Sequence, residues 1–351
     1  MARRYKVGFI RGDGIGPEIV DAALEVISHL MPGIELVEFQ AGYEYYKRTG
    51  KTIEDDFLEK IEEVDAIIKG PLYTPSHDPN FKSVNVLIRK KLDLYANIRP
   101  FKSFQGVSQK NFNLIIFRES TEGEYVGIEG TFGDLAVSLR IITRKGAERI
   151  CRQAFNYAKK VGLKRVTVVH KANILKLSDG LFRQTFFDVA KEFPDAVPEE
   201  VIIDTATYAL VKNPEKFQVL VTPNLYGDIL SDLVGGLVGS LGLCGSALIG
   251  DKIGVFEPIH GVALDIAGKG IANPIGMLTA SKLMLEYLGQ KNEDSEIIRK
   301  ASILENVIRI VVEDKRVWTP DLGGRYRTGD IAKAIMEELN NNTLLIENNR
   351  I

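Results

Sequence analysis

Short apolar runs recur along the chain at Lys6 to Ile10, Val64 to Lys69, Asn113 to Phe117, Arg165 to His170 and Gln218 to Thr222, and longer stretches of helical spacing separate them. A run that is apolar on both sides must be covered on both faces once it becomes a strand, and the intervening helices supply that cover. This rhythm predicts an α/β architecture. Helices are expected at Pro17 to Leu30, with Pro in the first turn, and at Lys145 to Val161, Tyr226 to Leu241 and Thr279 to Leu288. At 351 residues the chain exceeds one ordinary core and predicts two domains. The segment Pro100 to Lys110, polar and containing Gly, is the expected connection between them.

Charge excludes some functions. Forty-five Lys and Arg against 47 Asp and Glu leave a net charge of −2, without the cationic excess that a phosphate backbone demands, so no nucleic-acid partner is expected. No window approaches the roughly 20 apolar residues of a membrane span, and the apolar run after the basic start MARRYK is too short for a secretory signal. The expected location is cytoplasmic, or the matrix if a leader has been removed. Cys151 and Cys244 cannot form a disulfide framework or a zinc site by themselves, and the four histidines show no ligand spacing. Any metal is therefore expected to be a hard ion held by oxygen.

Several motifs can carry chemistry. Gly12-Asp13-Gly14-Ile15-Gly16-Pro17-Glu18 follows the first strand, yet its spacing is not that of a dinucleotide fingerprint, and Asp13 and Glu18 would repel a pyrophosphate. A tight strand-to-helix turn is the simpler reading. Arg89, Arg99 and Arg118 stand at element ends and can converge on a polycarboxylate, one guanidinium to each carboxylate; the alternative is three solvated surface arginines. Asp228 and Asp232, four residues apart, share a helix face and repel unless a divalent cation intervenes, or else complement the helix dipole. Asp204, at the end of an apolar stretch, is a candidate third ligand. Lys171, fixed directly after a strand, can act as a base, and Tyr125 can deliver a proton. The Gly-rich stretch Glu257 to Pro274 can wrap an adenosine, with Asp265 accepting from ribose hydroxyls; a carboxylate there repels a 2′-phosphate and favours NAD over NADP.

Taken together, GDGIGPE at Gly12, LDLYANIRP, RESTEGEY, HKANI, NLYGDILSD, EPIHGVALDIAGKGIANP and TPDLGG at Thr319 resemble, in order and over nearly the whole chain, the β-decarboxylating dehydrogenases of 2-hydroxy acids. These are the isocitrate, homoisocitrate and 3-isopropylmalate dehydrogenases. The resemblance implies their two-domain α/β fold, unrelated to the Rossmann topology. Its first domain is discontinuous: residues 1–99 with 256–351 form a large cofactor-binding domain, and residues 100–255 a central domain for dimerisation, substrate and metal. It implies a homodimer, or a tetramer built from it, with shared active sites. Arg89, Arg99 and Arg118 would clamp substrate carboxylates. Asp228 and Asp232 would bind Mg²⁺ or Mn²⁺ together with Asp204 of the second chain, from which Lys171 also crosses. Lys171 and Tyr125 would be the catalytic pair. His260, Gly261, Asp265 and Asn273 would hold the adenosine of NAD, with Thr74, Asn224 and Glu257 completing the cofactor-binding set.

The implied reaction is oxidation of the hydroxyl carbon by hydride transfer, then loss of CO₂ from the carboxylate β to the new carbonyl. Ser83 and Asn85 resemble the S-x-N of isocitrate dehydrogenases, where isopropylmalate enzymes carry apolar residues. Tyr73 departs from the Thr usual in bacterial isocitrate enzymes. The resulting order is isocitrate, then homoisocitrate, then 3-isopropylmalate. A non-catalytic regulatory subunit would lack the Tyr, Lys or metal aspartates, and all of these are present.

Overall fold

The structure, a computed structural model, describes residues 3–348 other than 77, 79 and 80. The strands are β1 (Lys6–Ile10), β2 (Glu35–Glu38), β3 (Ala66–Lys69), β4 (Ala96–Lys102), β5 (Asn113–Glu119), β6 (Glu129–Phe132), β7 (Leu135–Ser138), β8 (Arg165–His170), β9 (Val197–Ile202), β10 (Val219–Thr222), β11 (Gly245–Ile249) and β12 (Gly254–Pro258). The helices are α1 (Gly16–Leu30), α2 (Tyr43–Thr49), α3 (Phe57–Ile61), α4 (Val84–Lys91), α5 (Arg144–Lys160), α6 (Ser178–Ala190), α7 (Ile203–Lys212), α8 (Asn224–Val238), α9 (Ile275–Lys291), α10 (Ser295–Glu313) and α11 (Thr328–Asn348).

Ten strands form one sheet in the order β2-β1-β3-β12-β11-β4-β5-β10-β8-β9, and β6 and β7 form a separate hairpin. The first four strands run parallel to one another, as do β5, β10, β8 and β9 at the other side. The pairings β12–β11, β11–β4 and β4–β5 are antiparallel, so the two parallel halves point in opposite directions. This order differs from the Rossmann arrangement, as expected. Strand β12 returns beside β3, which makes the first half discontinuous in sequence. The expected boundaries at 99/100 and 255/256 fall inside β4 and β12.

The connection expected at Pro100 is shifted. Pro100 belongs to β4 and pairs with Ile115 of β5, whereas the pairing with β11 covers only Ala96 to Ile98. Past the end of the pairing with β11 a residue without an N–H costs no ladder bond on that side, so the strand continues through Pro100 and the connection begins at Ser103. Helix α8 stops at Val238 rather than Leu241 because Gly239 turns the backbone to φ 127°.

Helices α1, α9, α10 and α11 bury their apolar faces in the largest core, with Ile19, Leu278, Leu285 and Val307 all at 0% exposure. A second core lies between α5, α6 and the strands β5, β8 and β10. Both faces of the sheet are thereby covered, as the apolar runs require.

Candidate active site

The register of the central strands decides where the polar side chains point. Arg99 stands opposite Ile116, and Arg118 two residues further along the same strand, so Arg99 and Arg118 project from one face. Helix α4 faces them: Asn85 and Arg89, four residues apart, lie on the same side of it. Its N-cap is Ser83, whose hydroxyl accepts from the Val86 N–H. Between the sheet and α4 lies a cavity of about 200 Å³, lined by Ser83, Asn85, Arg89, Arg99, Arg118 and Tyr125, and further by Asp228, Glu257, His260 and Gly261.

The arginines are buried and paired rather than solvated. Arg89, Arg99 and Arg118 are 7%, 3% and 1% exposed, which rules out the surface reading. Arg118 reaches Asp228 Oδ1 at 2.5 Å, and Arg99 reaches the same oxygen at 3.3 Å and also donates to Ser231. Burial pulls the Arg118 guanidinium down to about 9, with Arg99 and Arg89 adding repulsion. Burial pushes the Asp228 carboxyl up, but Arg118 and Arg99 outweigh it and hold it below the usual range. Tyr125 donates its hydroxyl to Asp228 Oδ2 at 2.6 Å, and burial raises its pKa.

Asp232 sits one turn beyond Asp228 and makes no hydrogen bond or ion pair among the described residues; burial raises its pKa, and the charge of Asp228 adds to the rise. Two carboxylates on one helix face, one of them unpaired, fit a hard divalent cation. Among the described residues no group of three or more His, Cys, Asp or Glu is gathered. Lys171 and Asp204 do not line the cavity. They pair with each other, at the end of β8 and in the first turn of α7. The neighbour of Lys171 within its own chain is thus the Asp204 carboxylate.

Several of the residues expected to bind the cofactor also have partners within the chain. Asn224 is buried and accepts from Arg118 Nε and Nη2 at 3.0 and 2.7 Å while donating to the Glu122 carbonyl, so its amide braces Arg118. Glu257 is buried between Lys69 and Arg89. Burial disfavours its charge, but the two cations hold its pKa down at about 2. Asn273 accepts from the Ile275 N–H at the start of α9 and donates to Asp321. Thr74 is exposed and donates to Ser83 Oγ at 3.2 Å. Asp265 is exposed on a turn. Tyr73, through its N–H, binds Asp13 at 2.8 Å.

His260 fits a nucleotide better. Its Nδ1 lies 2.9 Å from the Gly261 carbonyl and must donate, and burial lowers its pKa, so the ring is neutral with an acceptor at Nε2. That nitrogen is buried without a partner, ready for an exocyclic amine. The first Gly-rich turn carries no ligand geometry. Asp13 accepts from the backbone N–H groups of Tyr43, Glu44 and Tyr73, and Glu18 from those of Gly270 and Ala272. A Cβ on Gly12 would meet the Pro71 carbonyl at 2.3 Å, so this is the tight turn.

One cavity residue escapes sequence reasoning. Lys69 is 1% exposed and donates to Asn85 Oδ1 at 2.9 Å as well as to Glu257. At the end of an apolar run a lysine reads as a solvated strand end. The signal available was Glu257, an acid inside the run that becomes β12.

The isocitrate/isopropylmalate dehydrogenase profile matches residues 6–335. Homoisocitrate dehydrogenase of Methanocaldococcus jannaschii is 41% identical, over 94% of this chain and 96% of that protein. Isocitrate/homoisocitrate dehydrogenase of Thermus thermophilus is 42% identical, over 95% and 98%. The crystal structure of isocitrate dehydrogenase from Methylococcus capsulatus superposes with a TM-score of 0.90 at 43% identity, over 95% of this chain and 99% of that one. An enzyme whose arginines, tyrosine and acids meet in this way belongs to the isocitrate/isopropylmalate dehydrogenase family, the β-decarboxylating dehydrogenases of hydroxy acids.

Proposed function

We propose that the protein oxidatively decarboxylates isocitrate to 2-oxoglutarate with NAD and Mg²⁺ or Mn²⁺, as a homodimer in which each site draws on both chains. The observation that carries the substrate reading is the polar end of the cavity. Ser83 and Asn85 at the N-terminus of α4 stand beside the buried Lys69, a place for a third carboxylate. An isopropyl group would leave these groups desolvated and unmatched. Val86 in the lining favours homoisocitrate as the second reading, since an apolar side chain accommodates one more methylene.

Asp228 and Asp232, with Asp204 from the second chain, are the hard oxygen donors proposed for the cation. When bound, it polarises the substrate hydroxyl and stabilises the charge left as CO₂ departs. NAD, held along the His260 to Asn273 loop, is the hydride acceptor. Arg89, Arg99 and Arg118 orient the substrate through its carboxylates. Lys171, crossing from the second chain, would take the proton from the hydroxyl oxygen while hydride is lost from the carbon that bears it. After CO₂ is lost from the carboxylate β to the new carbonyl, Tyr125 donates its O–H proton to the carbon that carried it.

Exposed apolar side chains support the pairing of two chains. Phe132 and Leu135 on the β6–β7 arm are 69% and 56% exposed, and Ile174 and Leu177, just beyond Lys171, 66% and 90%. Such surface is costly in water unless covered. The experiment is NADH formation with isocitrate, homoisocitrate and 3-isopropylmalate, with Mg²⁺ and after chelation. Isocitrate should exceed 3-isopropylmalate in kcat/KM by at least about 100-fold. A preference for 3-isopropylmalate, or undiminished turnover after chelation, refutes the reading.

A further inference from the structure

A buried ion pair outside the cavity reaches the backbone of Lys171 and the residue that precedes Tyr125, the two proton-transfer residues of the proposed reaction. Asp179, in the first turn of α6, is 0% exposed. Its Oδ2 accepts the backbone N–H of Lys171 at 2.6 Å, and its Oδ1 lies 3.0 Å from Arg140 Nη2. Arg140, with a side chain 12% exposed, donates through Nη1 to Glu124 Oε1 at 2.7 Å. Glu124 opens the short 3₁₀ turn Glu124–Val126 that holds Tyr125. The guanidinium also lies over the ring of Tyr226, 4.4 Å from its centroid, two residues before Asp228 in α8.

We propose that Arg140 and Asp179 are positioning residues that hold Lys171 and Tyr125 in register, through backbone and neighbouring side chains rather than by touching substrate. A buried ion pair rarely adds net stability over an apolar replacement, so its presence here asks for another reason. One planar guanidinium joins the end of β8, the Tyr125 turn and the start of α8, and its fixed fork transmits position better than a flexible ammonium would. The inference rests on the proposed function, in which Lys171 serves the site of the second chain while Tyr125 serves its own. The brace therefore links the two sites of a dimer, since a shift of Arg140 displaces an acid in one and a base in the other.

The test compares Arg140→Met and Arg140→Lys with the wild type in the holoenzyme. Steady-state kinetics with whichever of the three acids is best used is measured beside hydrogen exchange at the Lys171 amide. Arg140→Met should lower kcat about 100-fold with KM for the acid within about twofold, and Arg140→Lys should recover part of the loss. Exchange at Lys171 should accelerate in Arg140→Met. Unchanged kcat, or kcat and KM worsening together with no rescue by Lys, overturns the proposal, and so does unaltered exchange at Lys171. A wild type inactive on all three acids overturns the functional reading instead, and the exchange rate at Lys171 then decides on the brace alone.

Discussion

Replacing Glu257 with Gln removes one charge from a buried cluster while keeping size and shape. Lys69 and Arg89 are then left with a neutral amide where a carboxylate stood. Removing one member of a buried pair costs about 3–5 kcal/mol, because the remaining charge stays desolvated. Gln Oε1 still accepts one hydrogen bond, which points to the lower figure. Unfolding entropy of about 2.1 cal/mol/K per residue over 351 residues gives about 0.7 kcal/mol/K, so the loss should lower Tm by about 4–7 °C. Lys69 offers a route of relief. Burial already lowers its pKa, and once Glu257 is gone the amine sheds its proton more easily, so the deficit should shrink between pH 7 and pH 9. Lys69→Met added to Glu257→Gln removes the stranded ammonium and should restore at least half of the loss. Differential scanning fluorimetry of the wild type, the single variant and the double variant at both pH values measures all of this. A Glu257→Gln variant within 1 °C of the wild type at pH 7, or a double variant that melts no higher than the single, refutes the electrostatic account.

Two further outcomes follow from the same structure. The pKa of Glu257 is depressed from its ordinary 4.5 to about 2, so its stabilising effect is complete above about 4.5 and is lost as pH falls toward 2; urea unfolding between pH 5 and 3 should be steeper in the wild type than in Glu257→Gln, by up to about 1.4 kcal/mol per pH unit. Phe132→Ser with Leu135→Ser should weaken self-association, measured by sedimentation, and make specific activity fall on dilution; an unchanged dimer would remove the arm from the interface.

The fold was legible where one physical signal dominates. Strand β8 matches its expected run, and α5 is displaced by a single residue at each end, because both segments carry an unbroken pattern. Helices α8 and α9 begin earlier than expected, at Asn224 and Ile275. Each follows a proline, and for α9 Asn273 also accepts the first helical N–H, so the residues ahead of the helix rather than periodicity mark the start. The arm went unread, since Phe132-Gly133-Asp134-Leu135 is a hairpin turn inside a segment with no core to face. Within the site, Arg89, Arg99, Arg118 and Tyr125 converge on the cavity as the motifs implied. Asn224 and Glu257 illustrate the limit: their residue type suits a ligand, and only packing reveals that each also pairs with an arginine. Lys171 and Asp204 do not line the cavity of their own chain; the proposed dimer assigns them to the cavity of the second chain, and spacing within one sequence carries no information on such a contact.

The continuous ten-stranded sheet has a mechanical corollary. Since its two oppositely directed halves share ladder bonds through β11 and β4, they cannot slide past one another as separate bodies joined by a tether. Relative motion of the two halves is therefore distributed as twist among the middle strands, of which one carries Arg99 and its neighbour Arg118. Such a twist carries Arg99 and Arg118 with it, so the two guanidiniums move as parts of one ribbon rather than as parts of separate bodies.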